Sequence, residues 1–278
     1  MDDMNTGRLL FVPSGGLANR MRAIASAWNL SRHTGVKLQV VWFRDWALNA
    51  PFRDIFEPLP DMSLRDATCI DSLLYDRPRR RNMRLPLLPQ RILFDQRIDE
   101  WQVTPLKQRG FDFEAWARGR NGYMSCYQEF GTFDNSVYAR LFHPIGAVTE
   151  RVESFTKQFS AHTVGFHIRR TDSQASIEQS PLELFIEAGD RELATHEDTR
   201  FFVATDDEPT KDELRRHFGD RIITADTPAA RSSTDGIRGG LADMWTLART
   251  SVIYGSAGSS FSTMAAKVGG NKIVVLTK

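Results

Sequence analysis

The chain contains little cysteine, little lysine and no excess of either charge. Two cysteines among 278 residues cannot form a disulfide framework, which favours a reducing compartment. Lys and Arg together number 36 and Asp and Glu 35, for a net charge of +1. Nucleic-acid-binding proteins usually carry a basic excess, so we expect no nucleic-acid partner. Only seven of the 36 basic residues are lysine, and the remaining arginines can grip a phosphate with a planar fork.

Long apolar runs and metal-ligand patterns are also missing. No stretch approaches the ~18 apolar residues of a membrane span, and the acidic start MDDMNTGRLL does not resemble a signal peptide. These absences predict a cytoplasmic protein without a transmembrane segment, and they say nothing about its oligomeric state. The six histidines show no metal-ligand spacing, which predicts no metal site. They are His33, His143, His162, His167, His196 and His217.

The first 43 residues predict a β-α-β unit. An apolar run at 8–13 ends at the turn 14–16, and a second apolar run covers 36–43. Between them, apolar residues recur on one helical face and stop before Gly35. These residues are Leu17, Met21, Ile24 and Trp28. A strand, a helix and a second strand in this order predict a parallel sheet.

The second half alternates strand and helix patterns. Apolar segments typical of strands occur at 163–170, 200–207, 221–225, 251–256 and 272–277. Helical spacing occurs at 147–159, 181–194, 210–218, 238–250 and 261–268. We therefore predict two α/β domains, 1–150 and 151–278. The middle, about 44–150, is less regular, and its arginine run at 77–84 is interpreted as a solvated loop in preference to an anion site.

The turn after the first strand is the first candidate site, since ligands of open α/β sheets bind beyond the carboxyl ends of strands. Gly15 and Gly16 allow a tight turn, and helix N-terminal amides attract anions. Asn19 and Arg20 are expected to project from the helix start into a cleft. An ordinary strand-to-helix turn is an equally good interpretation.

A second candidate site follows the strand at 163–168. Strand alternation places His167 and Arg169 on one side and Arg170 on the other. Two arginines at a strand end need an anion or a carboxylate. An arginine fork on a diphosphate satisfies this need, and an internal ion pair with Asp172 is the alternative.

Carboxylates form the third and fourth candidates. Asp206 and Asp207 follow the strand at 200–205 and either contact a ligand or cap the next helix, and as a metal pair they are a weak signal. Asp243 lies opposite the apolar stripe of the helix at 238–250. From the residues alone, Asp243 is a solvated surface aspartate.

A fifth candidate lies between the strand at 251–256 and the following helix. Ser259, Ser260 and Phe261 stand at the helix start, where small hydroxyl residues form a second anion cradle. A simple N-capped turn explains the same residues.

Together, GG-LANR, HIRRTD, ATDD, a helical Asp and GSSFS resemble the GDP-fucose-dependent fucosyltransferases, which include α1,2-, α1,6- and protein O-fucosyltransferases. The most specific element, H-x-R-R-x-D, is complete, and the resemblance covers 8–43 and 163–276. It implies a GT-B fold of two Rossmann-like α/β domains facing a central cleft. The expected N-terminal domain contacts the acceptor, and the C-terminal domain binds the nucleotide sugar. It also implies inverting transfer of fucose from GDP-fucose to a glycan or glycoconjugate hydroxyl, without a required cofactor or metal.

The resemblance assigns roles by position. Arg169 holds the β-phosphate of the donor, and Glu178 or a carboxylate of the unmatched middle is the base. The remaining substrate-binding residues form three groups. One is expected in the nucleotide site, one at the diphosphate, and one in the other domain. They are His167, Arg170, Asp172, Asp206, Asp207 and Asp243; Ser259, Ser260 and Phe261; and Gly15, Gly16, Asn19 and Arg20.

Two other functions remain open on the sequence. A GT-B transferase that uses another nucleotide sugar needs the same diphosphate-binding clusters. A non-catalytic module that binds a nucleotide sugar or a glycan needs no base.

Overall fold

The computed structural model describes residues 7–59, 62–171, 174–226 and 230–278. Asp172, one of the predicted site residues, lies outside these ranges. The chain divides into two compact units, Met1–His143 and Pro144–Lys278. We call them unit 1 and unit 2.

Unit 1 is built on a five-stranded sheet with the order β3-β2-β1-β5-β4, in which every neighbouring pair is parallel. Its strands are β1 (Arg8–Pro13), β2 (Lys37–Trp42), β3 (Ser63–Asp66), β4 (Gln96–Ile98) and β5 (Asn121–Cys126). The predicted β-α-β unit at the start of the chain is confirmed by β1, β2 and the helix between them.

The helices of unit 1 are α1 (Leu17–Thr34), α2 (Cys69–Leu74), α3 (Leu87–Leu93), α4 (Val103–Gln108), α5 (Phe113–Ala117) and α6 (Ser136–Leu141). The long helix α1 ends at Gly35, as its apolar spacing predicts. Gly35 has a φ of 74° and its N–H donates to Ser31 O. Glycine adopts this left-handed conformation with little strain, whereas a residue with a side chain adopts it at a cost in free energy.

The less regular middle of the chain contains a strand that the sequence pattern does not reveal, because β5 lies in the centre of the unit 1 sheet between β1 and β4. Tyr123 and Met124 in β5 are fully buried. The sequence NGYMSC of β5 contains neither a β-branched residue nor a long apolar run, so local pattern does not mark it. Its pairing with β1 supplies the burial.

Unit 2 is a second parallel sheet of five strands with the order β10-β9-β6-β7-β8. Its strands are β6 (Thr163–Ile168), β7 (Arg200–Thr205), β8 (Ile222–Thr224), β9 (Val252–Ser256) and β10 (Lys272–Leu276). Each overlaps one of the predicted strands. The strand order reverses between β6 and β9, and this is the position at which open α/β sheets bind ligands.

The helices of unit 2 are α7 (Gly146–Thr156), α8 (Gln174–Gln179), α9 (Leu182–Thr195), α10 (Glu208–Phe218), α11 (Thr234–Leu247) and α12 (Ser260–Gly269). They cover both faces of the sheet. Phe201 packs on Phe218 of α10, whereas Phe202 points to the other face and packs on Phe155 of α7. Successive strand residues point to opposite faces, so β7 is apolar on both.

These two doubly wound sheets confirm the predicted α/β fold class with two Rossmann-like units. Within the described ranges, every helix is too short or too polar to cross a membrane.

Candidate functional site

The carboxyl end of the unit 2 sheet brings together the loops that follow β6 and β9. The backbone N–H of Arg169, directly after β6, donates to Ser256 Oγ at the end of β9 over 3.1 Å. This bond ties the two loops together at the point where strand order reverses. We call this region the switch-point edge of unit 2.

His167 contacts two residues of the loop that starts α12. Its Nδ1 lies 3.2 Å from Ser259 Oγ. Its ring is nearly parallel to that of Phe261, with centroids 4.8 Å apart and an interplanar angle of 20°. Ser259 is the N-cap residue of α12, but its side chain makes no capping bond. The structure therefore brings three of the predicted residues into contact, with Ser260 at the first position of the helix.

The two arginines after β6 have different surroundings. Both are partly buried. Arg170 Nη1 donates to Ser180 O over 2.9 Å, and burial lowers the pKa of this guanidinium despite the nearby carboxylates. Ile168, the last strand residue before the two arginines, is fully buried in the core. Arg170 is therefore tied to the segment between α8 and α9, while the Arg169 backbone is tied to β9.

Asp206 and Asp207 both bind backbone groups. Asp206 accepts hydrogen bonds from Arg170 N over 2.8 Å and Thr171 N over 3.2 Å, so it holds the loop after β6. Asp207 is the N-cap of α10 and accepts from Thr210 N over 2.9 Å. The capping interpretation is thus confirmed for Asp207. The two carboxylates lie at the switch-point edge but point to separate partners.

The interpretation of Asp243 as a solvated aspartate is wrong. Asp243 is only 8% exposed, because the last two turns of α11 are buried on nearly all sides. No hydrogen bond of its carboxylate is found among the described residues. Burial raises the pKa of Asp243 to about 7, and the charges of Lys211 and Arg151 oppose this rise only in part. The ionised form of a carboxylate in such a place is costly unless a ligand supplies a hydrogen-bond donor.

Among the described residues of unit 2, the buried polar side-chain atoms without a hydrogen-bond partner lie near the same edge. They are Arg170 Nη2, Thr205 Oγ1 and Ser262 Oγ. These residues follow β6, end β7 and lie in the first turn of α12. Buried polar groups nearly always find a partner, so their concentration here is typical of a ligand-binding edge.

The turn after β1 in unit 1 has the shape that its glycines predict. Gly15 has a φ of 80°, and a Cβ at this position would lie 2.8 Å from Asn19 Nδ2. The turn therefore requires glycine for its conformation, and a larger residue would also displace the Asn19 side chain. Asn19 Oδ1 is buried and has no partner among the described residues. Gly16 precedes α1 as its N-cap and is partly exposed.

The expectation that Arg20 projects from the helix start is wrong, because Arg20 is 0% exposed. Its Nη2 lies 3.0 Å from Asp45 Oδ1, and its Nε donates to Gly15 O over 2.8 Å. The guanidinium also lies 4.6 Å from the ring centre of Trp42. Burial lowers the pKa of Arg20 to about 10, although Asp45 raises it. Arg20 thus holds the Gly15 turn and the loop after β2 from inside unit 1.

The sequence analysis interprets the arginine run at 77–84 as a solvated loop. This is wrong for Arg77, which is only 8% exposed. Arg77 Nη2 donates to Asp45 Oδ2 over 2.7 Å, and Nη1 donates to Glu100 Oε2 over 2.9 Å. The same oxygen of Glu100 accepts from Ser14 Oγ over 2.6 Å. This cluster lies at the carboxyl edge of the unit 1 sheet. Sequence reasoning missed it because its members are far apart in the chain.

The proposed base Glu178 lies in the short helix α8 and is exposed. Gln174 Nε2 donates to Glu178 Oε1 over 2.7 Å. Among the described residues, none of the other predicted site residues contacts Glu178. Glu178 thus belongs to the segment that follows β6, eight residues after Arg170.

Comparisons with known proteins identify the fold. The structure is similar to that of NodZ α-1,6-fucosyltransferase soaked with GDP-fucose, with a TM-score of 0.65, 17% identity, and coverage of 94% of this chain and 92% of that one. NodZ from Bradyrhizobium gives a TM-score of 0.64 at 17% identity over 93% and 92% of the two chains. POFUT1 in complex with GDP gives 0.59 at 11% identity over 98% of both. The chain has the fold of GT-B fucosyltransferases.

Sequence comparisons add nothing to this, since no family model and no curated protein matches the chain. The resemblance drawn from the H-x-R-R-x-D element is confirmed at the level of the fold. Fucosyltransferase structures match over nearly the whole chain, including the middle that the sequence resemblance did not cover.

Proposed function

We propose that this protein is an inverting glycosyltransferase that moves fucose from GDP-fucose to a hydroxyl of a glycan or glycoconjugate. One observation carries the proposal. The complete H-x-R-R element and the Ser-Ser-Phe turn meet at the switch-point edge of a Rossmann-like unit. This occurs in a fold shared with fucosyltransferase structures that were soaked with GDP-fucose or crystallised with GDP.

The diphosphate is the part of the donor that this edge suits best. Arg169 supplies a cation, and Ser259 and Ser260 begin α12, whose N-terminal amides favour an anion. The nearly parallel rings of His167 and Phe261 form a flat surface beside them. As the bond to fucose breaks, negative charge collects on the leaving diphosphate, and preorganised donors stabilise it.

Asp243 is proposed to recognise guanine. A carboxylate only accepts hydrogen bonds, and guanine offers the adjacent N1–H and N2–H₂ donors. Uracil does not present this pair of donors, so the contact selects GDP over UDP. Asp206 and Asp207 are proposed to contact the guanosine through lone pairs that their backbone bonds leave unused.

The chemical step is a direct displacement at the anomeric carbon. The acceptor oxygen forms a bond to this carbon while the bond to the β-phosphate oxygen breaks, and GDP leaves with the electron pair. A carboxylate takes the acceptor proton, and Glu178 is the proposed base. A Glu178→Gln variant that binds GDP normally and transfers normally would place the base elsewhere.

Unit 1 is proposed to carry the acceptor side, with Gly15, Gly16 and Asn19 as its substrate contacts. The unpartnered Oδ1 of Asn19 supports this role, because a sugar hydroxyl would satisfy it. Arg20 is proposed to act from inside the unit by holding the Gly15 turn. Transfer is expected to take place in the cytoplasm and to continue in excess chelator.

A nucleotide panel followed by a transfer assay tests the proposal. GDP should raise the melting temperature of the protein more than UDP or CMP does, because only a bound ligand shifts the folding equilibrium. GDP-fucose with a panel of glycan acceptors should then yield a fucosylated product.

Arg169→Ala should lose transfer, and Arg191→Ala, which removes an exposed arginine on α9, should keep it. Stronger stabilisation by UDP or CMP would favour a different nucleotide sugar. Binding of GDP without transfer or donor hydrolysis would favour a binding module.

A further inference from the structure

Three polar side chains of metal-ligand type converge near the amino end of β6, away from the switch-point edge. His162 Nε2 lies 2.8 Å from Glu192 Oε2, and the rings of His162 and His196 have centroids 4.0 Å apart. One ligand atom from each of the three residues lies within 4.8 Å of those of the other two. We call these residues the His-Glu-His cluster.

The fold fixes the backbone of all three residues. Glu192 and His196 are four residues apart at the end of α9, which places them one above the other on the helix. The N–H of His196 donates to Glu192 O over 2.8 Å, and its carbonyl accepts from the buried Thr199 over 2.6 Å. His162 stands immediately before β6, and its carbonyl accepts from Arg200 N at the start of β7.

Glu192 is supported by a hydrogen bond of its own. Tyr254 in β9 donates its hydroxyl to Glu192 Oε1 over 2.6 Å. Burial tends to raise the pKa of Glu192, but the hydrogen bonds from Tyr254 and His162 lower it overall. Each oxygen of this carboxylate lies within hydrogen-bond distance of a neighbouring side chain. It is also oriented by an outer donor, as metal-binding carboxylates usually are.

The dimensions suit a small transition-metal ion after a limited side-chain movement. Bonds of about 2.0–2.2 Å in a tetrahedral arrangement place neighbouring ligand atoms about 3.4 Å apart. His162 and Glu192 are partly buried, whereas His196 is exposed at the end of α9. The proposal requires a rotation of the exposed His196 ring to reach this spacing, and the exposed side leaves a route for the ion and for a water as the fourth ligand.

We propose that His162, Glu192 and His196 bind a divalent transition-metal ion of the zinc class. Two imidazoles and one carboxylate favour zinc or its neighbours over magnesium or calcium, which prefer oxygen ligands. The ion would fasten the end of α9 to the start of β6. The six residues of β6, at ~3.3 Å each, separate it from Arg169 by about 20 Å. The site therefore stabilises unit 2 and takes no part in transfer.

The sequence gives only part of this signal. The E-x-x-x-H spacing of Glu192 and His196 is a helical ligand pair, but the six histidines as a set predict no metal site. His162 joins the pair only when β6 and α9 pack together. The proposal therefore departs from the prediction of no metal site, because it rests on proximity in space and not on spacing along the chain.

Zinc titration of the full chain without a polyhistidine tag tests the proposal. Calorimetry should give one zinc ion per chain with micromolar or tighter affinity, and Mg²⁺ should give no binding at the same concentrations. His196→Ala should weaken zinc binding at least tenfold. Because His196 is exposed, this variant should fold normally. His217→Ala is the matched control, since His217 also pairs with a carboxylate, Asp190, over 2.9 Å, but without a second histidine.

Two further measurements separate a built site from adventitious binding. Zinc should raise the melting temperature of the wild type and of His217→Ala, but not that of His196→Ala. Tyr254→Phe, which removes the outer hydrogen bond, should weaken zinc binding about tenfold. No binding to the wild type, or equal binding by the wild type and His196→Ala, would overturn the proposal. Neither result bears on fucosyl transfer, because the assay involves no nucleotide.

Discussion

The imidazole of His167 and the ring of Phe261 lie nearly parallel, with centroids 4.8 Å apart, although His167 lies near the end of β6 and Phe261 in the first turn of α12. Ser259 adds a contact of 3.2 Å to Nδ1 of the same imidazole. The side chain of His167 therefore links β6 to the start of α12, and these two contacts can be removed separately.

His167→Ala removes both contacts and should weaken GDP binding about tenfold, which corresponds to about 1.4 kcal/mol. His167→Phe keeps a ring beside Phe261 but loses the contact with Ser259. Calorimetric titration with GDP measures both variants. An intermediate affinity for His167→Phe is expected, and wild-type affinity for His167→Ala would mean that this loop junction does not bind the nucleotide.

The two arginines after β6 should separate transfer from stability. Arg169→Ala should reduce transfer from GDP-fucose by about 10²–10³-fold, as the loss of one charge-stabilising contact does in other enzymes. Arg170→Ala removes the bond to Ser180 O and should lower the free energy of unfolding by about 1–2 kcal/mol. Transfer rates and denaturant unfolding of both variants provide the comparison. Equal transfer by Arg169→Ala and the wild type contradicts the assignment of Arg169.

Asp243 should make the stability of the protein depend on pH. An unfolded aspartate titrates near pH 3.9, whereas the pKa of Asp243 in the folded protein is about 7. The folded state binds more protons between these values, so its stability falls as pH rises through this interval. The full penalty, about 4 kcal/mol at most, applies above pH 7 and is absent below pH 4.

Asp243→Asn removes this titration. The variant should be more stable than the wild type at pH 8, and the difference should shrink steadily toward pH 5, as urea unfolding at several pH values will measure. Identical pH profiles for the two proteins would show that Asp243 titrates normally.

The same carboxylate should couple GDP binding to proton release. Guanine donors favour the ionised form, so GDP affinity should rise as pH increases through about 7. Calorimetry in buffers of different ionisation enthalpy measures the released proton. In Asp243→Asn, GDP should bind more weakly and this part of the proton release should disappear. A variant that releases as many protons as the wild type would remove Asp243 from the binding site.

Arg20 should contribute strongly to the stability of the protein, although it lies beside a candidate binding site. Arg20→Ala leaves the buried Asp45 with one arginine fewer and should destabilise the protein by about 3–5 kcal/mol. Arg22→Ala on the same helix loses only a bond to Tyr127 O near the surface and should change stability by less than about 1 kcal/mol. Comparable effects of the two changes in denaturant unfolding would refute the internal role of Arg20.

The sequence predicts the strands and the longer helices of unit 2 well because each has a clear local period, whereas the short helix α8 is not predicted. In contrast, β5 depends on pairing with β1 from a distant part of the chain, and local pattern does not contain that information. The site residues after β6 and β9 follow from strand ends, so their convergence is predictable from a parallel sheet. The clustering of Asp45, Arg77 and Glu100 is not predictable in this way, because only Asp45 follows a predicted strand, the one at 36–43.

Asp243 illustrates the limit of a helical wheel. The wheel assumes one buried face, but α11 packs against α7 and α12 as well as β6 and β7. A residue opposite the apolar stripe is therefore still inside the unit. Only the tertiary structure turns this aspartate from a surface residue into a buried acceptor.

A crystal structure of the protein with GDP tests the central claim most directly. The account predicts guanine N1 and N2 within about 3 Å of the Asp243 carboxylate. It also predicts the diphosphate between Arg169 and the start of α12. A nucleotide bound away from the carboxyl ends of β6 and β9, or with its base remote from Asp243, would contradict it.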